Sequence, residues 1–252
     1  SKWWSAGYEP CQSEGNYYEA VFSVDKAKIK RQDGNIITNT SVIVSSEEDA
    51  EIRRLSITNK GNIDKILEVT SYMEITIAPF DADLVHPAFS NLFVRTEFNV
   101  KYGCLLASRR RRSEKENECW IMHHMVVDGE TEGNTEYETS RINFIGRTRD
   151  VHNPEAINLP LKNTTGDVLD PIMSLRRRIK IKPGKTVRIS YITAAADSKE
   201  NVLAIAKKYS SYGSVKRAFE IAATGAQVSM GYLGIKSLEA NVYELMASKI
   251  LF

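Results

Sequence analysis

The sequence predicts a mainly β chain: an antiparallel sandwich of two sheets, closed by C-terminal helices. Three observations lead there. From Tyr17 to about Thr193 apolar residues recur at every second position in short runs. Those runs are separated by Gly, Pro, Asn and Asp rather than by the helical stretches that a parallel sheet needs for its crossovers. Near Asp197 the spacing then changes from two to that of a helix.

Taken in order, strands are expected at residues 20–30, 36–44 and 52–58. Next, Leu67, Val69, Ser71, Met73 and Ile75 alternate with Glu68, Thr70, Tyr72 and Glu74, so one face is buried and the other wetter. Residues 92–98 and 105–109 follow. Trp120, Met122, His124 and Val126 then alternate with Ile121, His123, Met125 and Val127. Residues 176–182, Pro183-Gly184 and the apolar series Val187, Ile189, Tyr191 read as a hairpin. Asp33-Gly34, Lys60-Gly61-Asn62, Tyr102-Gly103 and Asp128-Gly129 supply turn chemistry. Asp197 and Glu200 have capping-box spacing, and Val202, Leu203, Ala206 and Tyr209 recur at helical intervals. Two further helices are expected at residues 214–231 and 237–251, with Leu238, Val242, Leu245 and Lys249 on one stripe. The expected division is a β domain over residues 1–195 and a helical segment over residues 196–252.

Composition narrows the function classes. With 252 residues and 42% hydrophobic content the chain can bury a substantial core. Lys and Arg number 34 against 32 Asp and Glu, a net charge of +2. That balance argues against a dedicated nucleic-acid or anionic-membrane binder. Cys11, Cys104 and Cys119 are too few for a disulfide framework, and none has CxxC spacing. No signal peptide and no bilayer-spanning apolar run occurs, so a reduced, cytoplasmic setting without direct membrane contact is expected. The chain opens without Met and stops at Phe252 inside an amphipathic pattern, which reads as an internal segment of a longer protein.

Residues that could carry chemistry are sparse. No GxSxG elbow, Walker loop, GxGxxG or HExxH occurs, and no cysteine has an evident His partner. No metal or cofactor site is therefore expected. His123-His124 would diverge to opposite faces of a strand, one inside the sheet packing and one outside, instead of forming a metal pair. The run Arg109 to Arg112 and the run Arg176 to Arg178 read as solvated strand ends packed on carboxylates, or as anion contacts. Trp3, Trp4, Tyr8, Tyr17, Tyr18 and Trp120 read as staples of the terminus to the core, or as sugar-stacking platforms. The loop from Asp81 to His86 is the most distinctive segment, with two acids and a His-Pro step leading into a strand. Asp81 and Asp83 either cap the turn or project with His86 toward a saccharide or a neighbouring domain. Arg109 and Arg111 are the next candidates for that polar surface.

At this loop the chain resembles a known family. Trp4-Ser-Ala-Gly-Tyr-Glu-Pro10, Glu68-Val-Thr-Ser-Tyr72, His86-Pro-Ala-Phe-Ser-Asn-Leu-Phe-Val94, Phe144-Ile-Gly-Arg-Thr-Arg149 and Ser174-Leu-Arg-Arg177 stand in the order found in the sandwich region of the inverting phosphorylases of glycoside hydrolase family 94. The likeness is greatest to the phosphorylase-like module of cyclic β-1,2-glucan synthases and to 1,2-β-oligoglucan phosphorylases. The resemblance implies a galactose mutarotase-like β-supersandwich, a helical linker and then an (α/α)6 barrel carrying the catalytic Asp. No residue of this chain matches that Asp, so no catalytic residue is expected here. Inverting phosphorolysis needs one carboxylic acid at the leaving oxygen while phosphate attacks from the other face. The implied role is a non-catalytic region supporting the barrel, with β-glucan oligosaccharide and phosphate as partners of the parent enzyme and a homodimer as its assembly. A synthase parent would be tethered to the inner membrane. Two other readings stand beside it: a stand-alone carbohydrate-binding module and a structural dimerisation domain.

Overall fold

The structure is a computed structural model that describes residues 2–111 and 116–251. Four strands open the chain as a meander: β1 (Tyr17–Ser23), β2 (Lys26–Asp33), β3 (Ile36–Val44) and β4 (Ala50–Asn59). The chain then leaves that sheet for β5 (Lys65–Thr70) and β6 (Met73–Glu74). Two short helices follow, α1 (Phe80–Val85) and α2 (Pro87–Asn91). β7 (Val94–Asn99), β8 (Cys104–Arg109) and β9 (Trp120–Asp128) rejoin the first sheet. β10 (Thr131–Ser140), α3 (Arg141–Ile145), a 3-10 turn at Glu155–Ile157, β11 (Gly166–Asp167), β12 (Pro171–Ile181) and β13 (Thr186–Ala196) complete the β part.

The larger sheet has the order β1-β2-β3-β4-β13-β9-β8-β7-β11, and the smaller β10-β12-β5 with β6 also on β12. Every pairing is antiparallel. The two-sheet antiparallel fold is thus as the alternation predicts. Leu55, Ile57, Leu105, Ile179, Ile181 and Ile189 meet between the sheets in one buried cluster. The other face of the large sheet is buried too. There Ile52, Leu106, Met122 and Ile192 pack against Val202 and Ala206 of α4 (Lys199–Lys208), against Tyr209 that caps its C-terminus and against Val215 of α5 (Tyr212–Leu233). Helix, large sheet and small sheet form three layers. A third cluster, Phe144, Ile145, Ala156, Leu161 and Ile172, covers the outer face of the small sheet.

This layering corrects the expectation for the histidines. His123 and His124 do face opposite sides of β9, but both are buried, because α4 and α5 cover the side expected to be open. Four further expectations change. The segment read as one strand over residues 20–30 is two strands folded at Val24-Asp25. That turn has no Gly or Pro and is built on side chains: Ser23 Oγ donates to Asp25 Oδ1 at 2.8 Å and contacts the Lys26 carbonyl at 3.0 Å. The Pro183-Gly184 hairpin is an arch. β12 pairs with β10 and β5, whereas β13 pairs with β4 and β9, so the chain crosses from one sheet to the other. Asn59 fixes the crossing: its Nδ2 donates to the Ile181 carbonyl at 3.0 Å, its N–H to Lys185 O, and its carbonyl accepts from Gly184 N. The cap of α4 is Ser198, whose Oγ accepts from Asn201 N, while Asp197 holds the Asn201 side chain. Finally, residues 80–91 are not an open loop but two helical turns, punctuated by Pro79 and Pro87.

α5 ends on Gly234 in the left-handed region, and α6 (Ser237–Leu251) follows. In α6 only Ala240 is buried among the described residues, while Leu238 (81% exposed), Leu245, Met246 and Ile250 face outward, as do Val228 and Tyr232 (90%) of α5.

Candidate functional site

α1 and α2 carry the chain from β6 in the small sheet to β7 in the large one, so they close one end of the sandwich. Asp81 and Asp83 lie in the first turn of α1 and neither caps it. Asp81 and His86 are exposed, Asp83 half-buried, and the side chains of all three lack a partner among the described residues. Phe80, Leu84 and Val85 beside them are exposed as well.

Arg109 comes to the same end, since its strand position is opposite Val94 and Arg110 N donates to Phe93 O. Its guanidinium is buried, with Nη1 on Glu116 Oε1 at 3.0 Å and with Nε and Nη2 unpartnered among the described residues. Arg111 is exposed beyond the strand end. Arg112 of the same run lies outside the described residues. The second arginine run is built into the fold. Arg176 is buried and donates to Thr70 Oγ1 and to the carbonyls of Leu159 and Ala156, beside Glu68 and Glu136. Burial drives its pKa down, opposed by those two carboxylates. Arg178 is exposed on Glu68.

Next to α2 the structure opens a polar cleft of about 160 Å3, lined by Glu74, Ile75, Thr76, Asn91, Arg141, Asp170 and Pro171. β6 and the first residues of β12 form its floor, because Glu74 pairs with Ile172. The α3 start forms one wall, tied down by Arg141 N on Asp170 O at 3.0 Å. Asn91, the last residue of α2, forms another. Glu74 Oε1 accepts from Arg141 Nε at 2.9 Å and from the Tyr72 hydroxyl at 2.6 Å. The Arg141 bond, then the Tyr72 bond, hold the Glu74 carboxyl below its usual range. Tyr72 in turn is pushed up by burial and by Glu74, and its ring packs against Phe144 with the centroids 4.8 Å apart and the planes tilted by 34°. Asn91 Oδ1 is buried without a partner among the described residues.

Chemically the cleft offers a fixed carboxylate, a guanidinium and an amide oxygen, which suit the hydroxyls of a polar ligand. Glu74 is not placed to act as a general acid, because a carboxyl held ionised has no proton to give at neutral pH. The same holds for two carboxylates away from the cleft. In Asp25, burial is outweighed by Lys26 and Ser23, and in Glu48 by Lys208 and Tyr209, so both are also held low. Burial pushes the Cys104 thiol up to about 12, which removes it as a nucleophile. Among the described residues no group of three or more His, Cys, Asp or Glu is placed to hold a metal.

Asp81, Asp83, His86, Arg109 and Arg111 thus share one end of the sandwich with the cleft, but none of them lines it. Sequence reading missed the cleft residues. The available signal was the pair Tyr72 and Glu74, two apart on the wetter face of an alternating run. Their partners Asn91, Arg141 and Asp170 come from three distant segments that no spacing rule links.

A family model described as the glycosyl hydrolase 94 supersandwich domain matches residues 1–212. The chain belongs to this family. Its supersandwich is therefore the nine- and four-stranded pair of sheets described above, and the resemblance read from the sequence is to the right family. Over 252 residues it is 34% identical to the cyclic β-(1,2)-glucan synthase NdvB of Rhizobium meliloti (strain 1021), covering 99% of this chain and 9% of the synthase. It is 20% identical over 219 residues to the solabiose phosphorylase of Paenibacillus borealis, covering 86% of this chain and 27% of that one. A solved structure of a putative kojibiose phosphorylase from the human microbiome matches 82% of this chain and 24% of its own, with a TM-score of 0.45 and 9% identity. The supersandwich chain spans less than a third of the length of the curated relatives it matches.

Proposed function

We propose that this supersandwich is the non-catalytic part of a β-glucan-acting phosphorylase or cyclic β-1,2-glucan synthase, and that α5 and α6 seat the catalytic barrel of the parent enzyme. One observation carries the reading: α6 presents Leu238, Val242, Leu245, Met246 and Ile250 to solvent with almost nothing packed against them. An apolar surface of that kind on a helix marks a docking face. In this reading residues 1–195 are the sandwich and residues 196–252 the connection to the barrel. Asp81, Asp83, His86, Arg109 and Arg111 line the end that the barrel approaches, where they border the saccharide and phosphate cleft of the parent. No described helix is long and apolar enough to cross a membrane, and the proposed setting is the cytoplasmic side, with any membrane tether elsewhere in the parent.

Hydrogen exchange tests this directly. Amides of residues 237–251 exchange quickly in the 252-residue chain and slow by at least tenfold in a longer chain carrying the barrel. Equal exchange in both refutes the docking role. The 252-residue chain also yields no glucose 1-phosphate from β-1,2-glucan oligosaccharides and phosphate. Product that disappears on Glu74→Gln would overturn the non-catalytic reading.

The polar cleft favours a second reading, an independent carbohydrate-binding module. Calorimetric titration of the chain with β-1,2-glucan oligosaccharides separates the two. Binding that is lost on Arg141→Ala supports the module, and no heat of binding at millimolar sugar rejects it.

A further inference from the structure

The face of the large sheet beside its β1 edge is basic. Glu19, Val21 and Ser23 of β1 lie opposite Lys30, Lys28 and Lys26 of β2. The same face continues inward through Asn39 and Ser41 of β3 to Ser56 and Arg54 of β4. Across these four strands the paired positions of that face carry Lys26, Lys28, Lys30 and Arg54 against a single carboxylate, Glu19. Asp25 in the turn takes up Lys26, and Arg54 lies over the Phe219 ring. Lys30 lies over the Tyr17 ring, and neither Lys30 nor Lys28, both exposed, has an ion-pair partner among the described residues. The other face of the edge is apolar: Tyr18 (48% exposed) and Phe22 (70%) flank the small Ala20, which lies beside Ile29. The edge itself is open among the described residues, with all seven residues exposed, no Pro, no Lys and no register shift. An open row of N–H and C=O groups of this kind recruits another strand.

We propose that β1 accepts an extended segment of another polypeptide as an added strand, and that this segment carries carboxylates at alternate positions with an apolar residue between them. Charge complementarity identifies the occupant. Alternate residues of any strand are roughly 6.8 Å apart, so acids at alternate positions keep step with Lys26 and Lys28. Neighbouring strands lie about 4.8 Å apart, so acids opposite Val21 and Ser23 have their Cα atoms roughly 10 Å from those of Lys28 and Lys26, a gap that the two side chains close between them. Opposite Glu19 a carboxylate would meet its like, so a neutral residue belongs there. Opposite Ala20 a bulky apolar side chain drops between Tyr18 and Phe22. Main-chain bonds supply the hold, and the two unlike faces supply the selectivity.

A blocked, dye-labelled peptide, Ser-Thr-Glu-Val-Glu-Ile-Thr-Ser, meets these requirements when laid antiparallel to β1. Fluorescence anisotropy at low salt should show it binding the 252-residue chain about tenfold or more tightly than its counterpart with Lys in place of both Glu. Lys28→Glu, at an exposed position, should reverse that preference, while Lys207→Glu, exposed on α4, should leave it unchanged. N-methylation of alternate amides on one edge of the peptide should abolish binding, and the same change on the other edge should preserve it. No saturable binding at millimolar chain overturns the proposal, as does equal affinity for the two peptides. Binding indifferent to N-methylation of either edge overturns strand addition. A chain that ignores the peptide but pellets with phosphatidylserine vesicles, and ceases to on Lys28→Glu, also overturns it and gives the basic face to an anionic lipid surface.

Discussion

Replacing His124 by Leu should leave the protein as stable as before at pH 7, or slightly more so, and should flatten its loss of stability in acid. His124 is buried beside the strand positions of Cys104 and Ile192, on the face covered by α4 and α5, and neither ring nitrogen has a hydrogen-bond partner among the described residues. Burial holds it neutral, with its pKa pushed down to about 4; a weak approach to the Gly103 backbone, outside hydrogen-bond geometry, opposes this only in part. The unfolded chain titrates near 6.5, so between those values the unfolded state binds more protons and stability falls with falling pH. The loss begins just below pH 7. Each pH unit across which the unfolded chain holds one extra proton is worth roughly 1.4 kcal/mol, so the loss reaches about 2 kcal/mol by pH 5 and about 3 kcal/mol by pH 4. Leu has nearly the same volume, brings no unsatisfied nitrogen and does not titrate. His123→Leu should behave differently at neutral pH. That ring bonds Ser71 Oγ at 2.8 Å and Thr193 Oγ1 at 3.0 Å and stacks on Tyr191. Losing those contacts should cost about 2–4 kcal/mol at pH 7. Burial pushes its pKa to about 3, so its acid contribution would vanish as well. Urea unfolding followed by Trp fluorescence at pH 7, 6 and 5 measures each difference against the parent chain, which cancels the carboxylates common to both. Parallel pH slopes for the parent chain and His124→Leu would refute the buried-neutral assignment. So would a loss above about 2 kcal/mol for His124→Leu at pH 7, which would reveal a partner for the ring.

Three other substitutions probe the frame. Gly129→Ala forces a side chain into φ +148° with its Cβ 2.7 Å from both Val187 methyls; urea midpoints should report a loss of about 1–3 kcal/mol, partly restored by adding Val187→Ala. Arg176→Met strands the Leu159 and Ala156 carbonyls and leaves Glu68 and Glu136 without their buried cation, so it should cost about 2–4 kcal/mol, against less than about 1 kcal/mol for the exposed Arg178→Ala. Ser198→Ala should cost about 1 kcal/mol as a lost helix cap and Ser198→Asp almost nothing; a larger effect from Asp197→Ala than from Ser198→Ala would return the cap to Asp197.

What the sequence reveals follows from which interactions are local. β3 and β9 are legible because a strand with two distinct neighbourhoods alternates, and β3 is found at residues 36–44 as expected. The turn at Val24-Asp25 escapes because its geometry comes from Ser23 and Asp25 side chains rather than from Gly or Pro. The arch at Pro183-Gly184 escapes for a deeper reason. Two apolar runs around a tight turn look the same whether they lie side by side or face each other across a core, and the difference is made by Asn59, more than a hundred residues away. The burial of His124 depends on helices that pack only after the sheet exists. The cleft is the extreme case: Tyr72 and Glu74 could be seen as neighbours, but Asn91, Arg141 and Asp170 become their companions only through the sheet pairing of β6 with β12 and the placement of α3.

The position of β13 sets a timetable for the molecule. It follows every other described strand in the chain, yet it sits in the middle of the large sheet, paired to β4 on one side and β9 on the other. As the chain emerges from a ribosome, the first four strands can zip together and β7, β8 and β9 can do likewise, but the two halves stay separate until residue 196 is out. Until then two interior edges are open to stray strands, the state most prone to aggregate. Closure must join segments far apart along the chain, and contacts of that range form slowly. A chain that stops before β13 therefore leaves two unmatched half-sheets, not a smaller sandwich.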